Sequence, residues 1–306
     1  MTTKVLTICI PTYNRAKELD YSLSCFEREL QYTDASVIEF YISDNCSPDN
    51  TEGIVDKYIK KGLPIIYSRN ETNIGPDNNF LKCFYYAKTK YLWLLGDDDY
   101  LLEGRLQMII ETLNKENIGC LNLANNYGRK GIYKFTDNQK FLTIVGHWLT
   151  FMSANIIRTD IISKVQVDEA LRRSNLLQMP FFIDAILSYP ENILIKDKMF
   201  EKVPDDNNSG YNFFKIFIDH YLGIFMTYRR ERRITLCTYR SIKRKLMWNF
   251  IMPSIARLYI QKRFPNLEKK GAMKILFKNY GLEPYFYLYF LKIPYVLYKE
   301  RNHKLK

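Results

Sequence analysis

The stretch Tyr91-Leu92-Trp93-Leu94-Leu95-Gly96-Asp97-Asp98-Asp99-Tyr100 decides the fold class. A short apolar, aromatic run ends at a glycine and then at three consecutive carboxylates. The run has the length and composition of a strand buried on both faces, as in a parallel sheet. In open α/β sheets ligands bind beyond the carboxyl ends of the strands. Three adjacent carboxylates repel one another, and each protonates or stays solvated unless a cation is near. Two readings follow for Asp97, Asp98 and Asp99. One is a divalent-metal site with hard oxygen ligands, suited to Mg²⁺ or Mn²⁺. The other is an acidic surface turn capping a helix that begins near Glu103.

Upstream, Val5 to Ile10 reads as a β-branched apolar strand ended by Pro11-Thr12-Tyr13-Asn14-Arg15. Leu19, Leu23, Phe26 and Leu30 then follow at helical spacing. Val37 to Ser43 is a second strand, closed by Asp44-Asn45, and Ser47 to Thr51 start a helix through Lys60. Ile65 to Tyr67 is a third strand, Asn70 to Pro76 a loop, and Asn78 to Lys88 a helix. After the opening stretch come a helix over Arg105 to Asn114 and a strand over Ile118 to Ala124. Strands alternating with helices of about three turns imply a doubly wound, mostly parallel sheet. Four polar clusters, at Tyr13 to Arg15, Asp44/Asn45, Asn73/Gly75 and Asp97 to Asp99, then converge on one edge of it.

Further along, a strand is expected over Ile132 to Phe135, a helix over Gln139 to Val145, a strand over Trp148 to Arg158 that admits a turn before Ser153, a helix over Ser174 to Leu187 and a strand over Asn192 to Ile195. The loop Asp205-Asp206-Asn207-Asn208-Ser209-Gly210 marks a boundary, giving domains 1–210 and 211–306. Residues 211–306 carry 21 Lys+Arg against five Asp+Glu, leaving 24 and 28 to the first 210, so the net charge of +12 belongs to the C-terminal part. Tyr211 to Tyr228 has helical periodicity, and Trp248, Phe250, Tyr259 and Phe264 interleave with the cations. Tyr285 to Tyr295 is dense in aromatics. Tyrosine beside lysine and arginine is the composition of a membrane-interface helix, or of a helical cap whose aromatics pack on the sheet. The six cysteines show neither zinc spacing nor a disulfide framework, which points to a reducing compartment. No leader peptide and no membrane-spanning helix are expected.

The motifs in their order, Pro11-Thr12-Tyr13-Asn14-Arg15, Ser43-Asp44-Asn45, Asn73-Ile74-Gly75 and Gly96-Asp97-Asp98-Asp99, resemble the family 2 glycosyltransferases of GT-A fold. Within them the chain looks most like the abequosyltransferase-like branch of bacterial surface-polysaccharide enzymes. The likeness is strong over 4–115 and weaker to about 210. It implies a nucleotide-sugar donor, most commonly UDP-linked, and inversion at the anomeric carbon. Pro11 to Arg15 would then flank the nucleoside, Asp44 would take a hydrogen bond from the base, Asn45, Asn73 and Gly75 would line the nucleotide pocket, and Asp97 and Asp98 would border it. The triplet matches a DXD-type motif, with Gly96 where the family commonly has its first aspartate, so Asp97, Asp98 and Asp99 all stand as metal ligands.

The chemistry fits independently. A departing nucleoside diphosphate gains negative charge, which a carboxylate-held metal offsets. Inversion also needs a base that deprotonates the acceptor hydroxyl. The family's acidic pair has no clean match here. Asp184 and His147 are the candidates, with Asp168-Glu169 third and Asp205/Asp206 as possible substrate contacts. The implied partners are a polyprenyl-diphosphate-linked saccharide acceptor and an anionic membrane surface, with the protein peripheral on its cytoplasmic face. Two other classes share some features. A sugar-nucleotide-forming nucleotidyltransferase needs a glycine-rich, lysine-containing loop after the first strand, which PTYNR lacks. A nucleic-acid binder would rest on the basic C-terminal part alone, and no nucleic acid is expected.

Overall fold

The computed structural model describes residues 4–123, 128–201, 211–260 and 268–288. Ala124, Asp205, Asp206, Phe264 and Tyr289 onward, named above, lie outside them. The chain divides into two compact units, Met1–Arg172 with Leu177–Lys202, and Arg173–Leu176 with Val203–Lys306.

The first unit is an eight-stranded sheet. Its strands are β1 (Leu6–Thr12), β2 (Ile38–Asp44), β3 (Ile65–Arg69), β4 (Tyr91–Leu94), β5 (Cys120–Asn122), β6 (Gly131–Phe135), β7 (Asn155–Arg158) and β8 (Asn192–Lys196), in the order β3-β2-β1-β4-β7-β5-β8-β6. Strands β3, β2, β1 and β4 run parallel. Strand β7 enters antiparallel between β4 and β5, and β6 closes the far edge antiparallel to β8. The helices are α1 (Ala16–Glu29), α2 (Thr51–Lys60), α3 (Pro76–Tyr86), α4 (Arg105–Lys115), α5 (Asn138–Val145), α6 (Glu169–Arg172) and α7 (Met179–Ser188).

Alternation along each strand sorts the helices onto two faces. Ile8, Ile10, Phe40, Ile42 and Trp93 pack with Leu23 and Phe26 of α1, Val55 and Tyr58 of α2, and Ile109 of α4. The Phe26 ring meets Phe40 at 5.0 Å and Trp93 at 6.5 Å, both edge-on. On the other face Tyr41 stacks on Tyr86 of α3, and Phe84 stacks on Phe181 of α7. All six cysteines are free thiols.

Two sequence expectations are corrected. The strand within Trp148 to Arg158 is shorter than expected: turning backbone does precede Ser153, but Gly146–Thr150 and Met152–Ala154 are both turns of 3-10 helix, and only Asn155–Arg158 pairs. The cause is Asn155, whose amide donates to the carbonyls of Trp148 and Phe151 and holds those turns against the ladder. The helix expected from Ser174 begins at Met179, because Asn175 takes a left-handed φ of 59° and Pro180 favours a first helical turn.

The second unit is helical over its described residues. A π-helical turn, Lys215–His220, runs into α8 (Tyr221–Arg230). Helix α9 (Leu236–Leu246) follows, then π turns on either side of α10 (Met252–Ile255), and α11 (Ala272–Tyr280). Among the described residues no helix is long and apolar enough to cross a membrane.

Candidate active site

Strands β1, β2 and β4 end on the same edge, and their terminal residues are tied together there. The Asn45 amide donates to the Thr12 carbonyl at 2.9 Å, and the Asn14 amide to Ser47 Oγ at 3.0 Å. Asn14 and Cys46 take positive φ of 54° and 65°, strained values for non-glycine residues that cluster at functional loops. Tyr13 beside them is exposed, whereas Pro11 and Thr12 are buried as the end of β1.

Asp44 is almost fully buried, and its carboxylate is heavily engaged. Tyr67 Oη donates to Oδ2 at 2.6 Å, the Ser47 amide to Oδ1 at 2.9 Å, and Arg69 lies 3.4 Å away. Burial and the Asp44 charge together push the Tyr67 phenol well up. Asn45 ties β2 to the loop before α3: Oδ1 accepts from Asn70 and from the Ile74 amide, and Nδ2 donates to Asn73 Oδ1 at 2.8 Å. Asn73 Oδ1 also accepts from the Gly75 amide, and Gly75 needs its φ of 81° to lead into Pro76. Asn79, buried on α3, holds both Ser43 groups, and Lys82 donates to Asn70 at 2.6 Å. This side-chain network fixes the loop's shape through satisfied buried polar groups.

The aspartate triplet divides into three environments. Asp97 is buried, with Oδ2 accepting from Thr12 Oγ1 at 2.7 Å and Oδ1 facing Arg15 at 3.1 Å. Asp98 is half-buried and binds Arg15 Nη2 through Oδ2 at 2.6 Å. Asp99 Oδ2 accepts from Ser153 Oγ at 2.5 Å, and the same Oγ accepts from the Gly96 amide at 2.9 Å. A Cβ on Gly96 would lie 2.6 Å from Asp99 Oδ2, so a side chain there would displace this arrangement. Burial pushes Asp97 up to about 7 against the pull of Arg15 and Thr12, and pushes Asp99 up to about 6 against Ser153. Burial works to lower the Arg15 pKa, but Asp97 and Asp98 outweigh it and raise it. Two carboxylate oxygens, Asp98 Oδ1 and Asp99 Oδ1, accept no hydrogen bond from the described residues.

The four clusters therefore meet at one edge. Ser153, Asn70, Asn79, Ser47, Tyr67 and Lys82 join them without having been singled out as site residues. Ser153 lies in a segment that reads as strand with a turn just before it, and only its fully buried hydroxyl beside Asp99 reveals its part. Among the described residues no group of three or more His, Cys, Asp and Glu side chains could enclose a metal by itself.

The chain matches the model of glycosyl transferase family 2 over residues 7–174, more than half its length. It belongs to that family. Abequosyltransferase RfbV of Salmonella typhimurium is 37% identical over 113 residues, 37% of this chain and 33% of that protein. The GalNAc(5)-diNAcBac-PP-undecaprenol beta-1,3-glucosyltransferase of Campylobacter jejuni is 28% identical over 145 residues, 44% of this chain and 46% of that one. The matches thus span less than half of either relative's length. Among solved structures, residues 1–349 of S. aureus TarS in complex with UDP-GlcNAc superpose with a TM-score of 0.54 at 19% identity, over 71% of this chain and 66% of that one. The mannosyltransferase PcManGT of Pyrobaculum calidifontis, in complex with GDP-Man and Mn²⁺, gives 0.50 at 11% over 97% and 86%. These likenesses establish the GT-A fold of this family 2 member.

Of the two candidates for the base, His147 lies half-buried in the Gly146–Thr150 turn with its ring 5.5 Å from Trp148. Burial holds its imidazole down at about 4. A folded pKa below the unfolded value near 6.5 means that the unfolded chain binds more protons between those pH values. Stability is then complete above pH 6.5 and falls as pH drops toward 4. His147→Gln is expected to remove about 2 kcal/mol of that acid-side loss, after discounting for the ring's partial exposure. Urea midpoints at about pH 7.5 and about pH 4.5 check this: an unchanged difference between the two would show that His147 is not its source. Asp184 is half-buried on α7, about 7.5 Å along the axis from the first residue of that helix. The helix start is tied to the preceding turn by Gln178, which donates to the Thr150 carbonyl. Asp168 is exposed and caps α6 by accepting from the Leu171 amide, a structural use of its carboxylate.

Proposed function

We propose that this family 2 member is an inverting glycosyltransferase that moves a sugar from a nucleoside-diphosphate donor to a hydroxyl of a lipid-linked or growing saccharide acceptor. One observation carries the reading. The asparagine-locked rim of β2 and the loop before α3 adjoin β1 and β4, where Asp98 Oδ1 and Asp99 Oδ1 are left unengaged by the described residues. Mn²⁺ or Mg²⁺ fits this donor set, because such an ion binds through one or two carboxylates and completes its shell with substrate phosphates. Asp98 and Asp99 would hold it, and when bound it supplies charge neutralisation to the departing diphosphate. Asp97 has both oxygens occupied and serves to fix Arg15, whose guanidinium faces the same space. Tyr13 and the loop through Asn73 and Gly75 flank the nucleoside.

Asp184 is the better acceptor for the hydroxyl proton. Protonation charges His147 where burial disfavours charge, which makes His147 the poorer of the two candidates. The UDP-GlcNAc bound by TarS supports UDP as the donor nucleotide, and the undecaprenol-linked name of the Campylobacter relative supports a polyprenyl-diphosphate carrier. A carrier of that kind supports a cytoplasmic protein, peripheral on the inner face of the cell membrane.

The test is turnover of UDP-, GDP-, dTDP- and CDP-sugars with Mn²⁺ and saccharide acceptors. One donor is expected to release its diphosphate and yield a product of inverted anomeric configuration. Asp184→Asn is expected to keep donor binding while losing transfer. Pyrophosphate release from a nucleoside triphosphate and a sugar phosphate, with no transfer, would sink the reading.

A further inference from the structure

We infer that the face of the second unit made by α11 and the turn after it docks on an anionic lipid bilayer. The inference rests on the reading that the acceptor is carried by a lipid, and on nothing in the donor site. Helix α11 buries Ala272, Leu276 and Tyr280 and turns Met273, Lys274, Phe277 and Lys278 outward. The segment after it continues the same exposed group. Leu282 is 99% exposed, and Tyr287 and Leu288 are more than half exposed. The two segments are held together: the Phe277 ring meets Phe286 edge-on at 5.6 Å, and Tyr287 Oη donates to the Gly281 carbonyl at 2.7 Å. Five large apolar or aromatic side chains therefore stand in water beside Lys270, Lys274 and Lys278, which are also exposed.

The charges around this face select its occupant. Between 269 and 288 the sole acid is Glu283, and Lys243 binds it at 2.6 Å. Glu268 at the start of the segment is exposed, and Asp219 lies 3.1 Å from Lys278. Residues 211–306 carry 21 basic groups against five acidic ones. A second copy seated on the same face would set lysines against lysines. An acidic peptide would pair the lysines but leave Leu282 and Leu288 without an apolar partner. An anionic bilayer satisfies both: Phe277, Leu282 and Leu288 enter the boundary of the acyl chains, Tyr287 reaches headgroup depth, and the lysines meet lipid phosphates. The protein would lie on the membrane through this face rather than span it.

Sedimentation of the full chain with vesicles tests this. Phosphatidylcholine vesicles with roughly one phosphatidylglycerol in three lipids are expected to carry the protein down in a salt-sensitive way, and pure phosphatidylcholine is not. Phe277→Ser with Leu282→Ser should weaken partitioning about tenfold or more. Lys270→Gln, Lys274→Gln and Lys278→Gln together should weaken it about a hundredfold at low salt, about fivefold per lysine. All these side chains are exposed, and unchanged circular dichroism and melting midpoint confirm that the variants fold. Binding that is equal on both vesicle types, or unaffected by both variants, overturns the inference. So does a change in oligomeric state of the serine variant without a change in vesicle binding, which would make a second copy the occupant. Donor turnover on the same samples reads the proposed reaction separately: its absence with vesicle binding intact sinks the glycosyl transfer and supports the docking face.

Discussion

Asp98→Asn with Asp99→Asn is expected to lower sugar transfer at least about a thousandfold and to abolish Mn²⁺ binding in the presence of the nucleoside diphosphate. Both asparagines keep shape and hydrogen-bonding capacity but remove the charge of the two oxygens that none of the described residues engages. Electron paramagnetic resonance of Mn²⁺ checks the binding directly, without relying on turnover. Asp97→Asn separates the roles within the triplet. Asp97 is buried and committed to Thr12 and Arg15, so its loss should lower the melting midpoint while the Mn²⁺ signal persists. Ser153→Ala acts at one remove. It frees Asp99 Oδ2 and leaves the Gly96 amide without its acceptor, so Mn²⁺ affinity should fall by about 10 to 100-fold, the usual cost of losing a group that orients a ligand. If Asp97→Asn abolishes the Mn²⁺ signal and the double variant keeps it, the assignment of ligands is reversed.

The contrast between Asp98/Asp99 and Asp97 marks the limit of what local pattern reveals. The run Tyr91 to Leu95 is recognisable as a buried strand because its composition alone demands two covered faces. The convergence of four polar clusters follows from strand–helix alternation, which makes β1, β2, β3 and β4 parallel and puts their carboxyl ends on one edge. Both are consequences of short-range order. The partition among the three aspartates is not. It depends on Thr12 and Arg15, more than eighty residues upstream, and on Ser153, which lies 54 residues downstream. Ser153 gains its position from the 3-10 turns that Asn155 stabilises, and those turns replace the expected strand. An alternating apolar segment carries no mark of which polar residue inside it will be recruited by a distant loop. Asn70 and Asn79 are the same case: each reads as an ordinary loop or helix polar residue, and only the packing of α3 against β2 makes a network of them.

Glu29→Ala is expected to destabilise the first unit by about 3 to 4 kcal/mol, the largest effect on stability among the substitutions considered, and one that no reading of the site suggests. Glu29 is the last residue of α1 and 1% exposed. Its two oxygens accept from the amides of Gly104 at 2.6 Å and Leu106 at 2.7 Å. Helix α4 has no capping side chain of its own, because Gly104 occupies the N-cap with a left-handed φ of 72°. A carboxylate from 75 residues away therefore supplies both hydrogen bonds and the negative charge that a helix start favours. Truncation orphans two backbone donors at a buried helix end, at roughly 1 to 3 kcal/mol each before relaxation. The melting midpoint should fall by roughly 8 to 12 °C in a chain of this size. Glu29→Gln is the sharper comparison. It keeps one acceptor but turns an NH₂ group toward a backbone N–H, so it should recover about half the loss and no more. Full recovery by glutamine would mean that shape alone matters and that the charge at the α4 start contributes nothing. Because α4 follows directly on the aspartate loop and packs on the same sheet face as α1, a loosened α4 start should also raise the mobility of Asp98 and Asp99. Mn²⁺ affinity in Glu29→Ala should accordingly weaken at temperatures well below its melting midpoint, which separates loss of positioning from global unfolding.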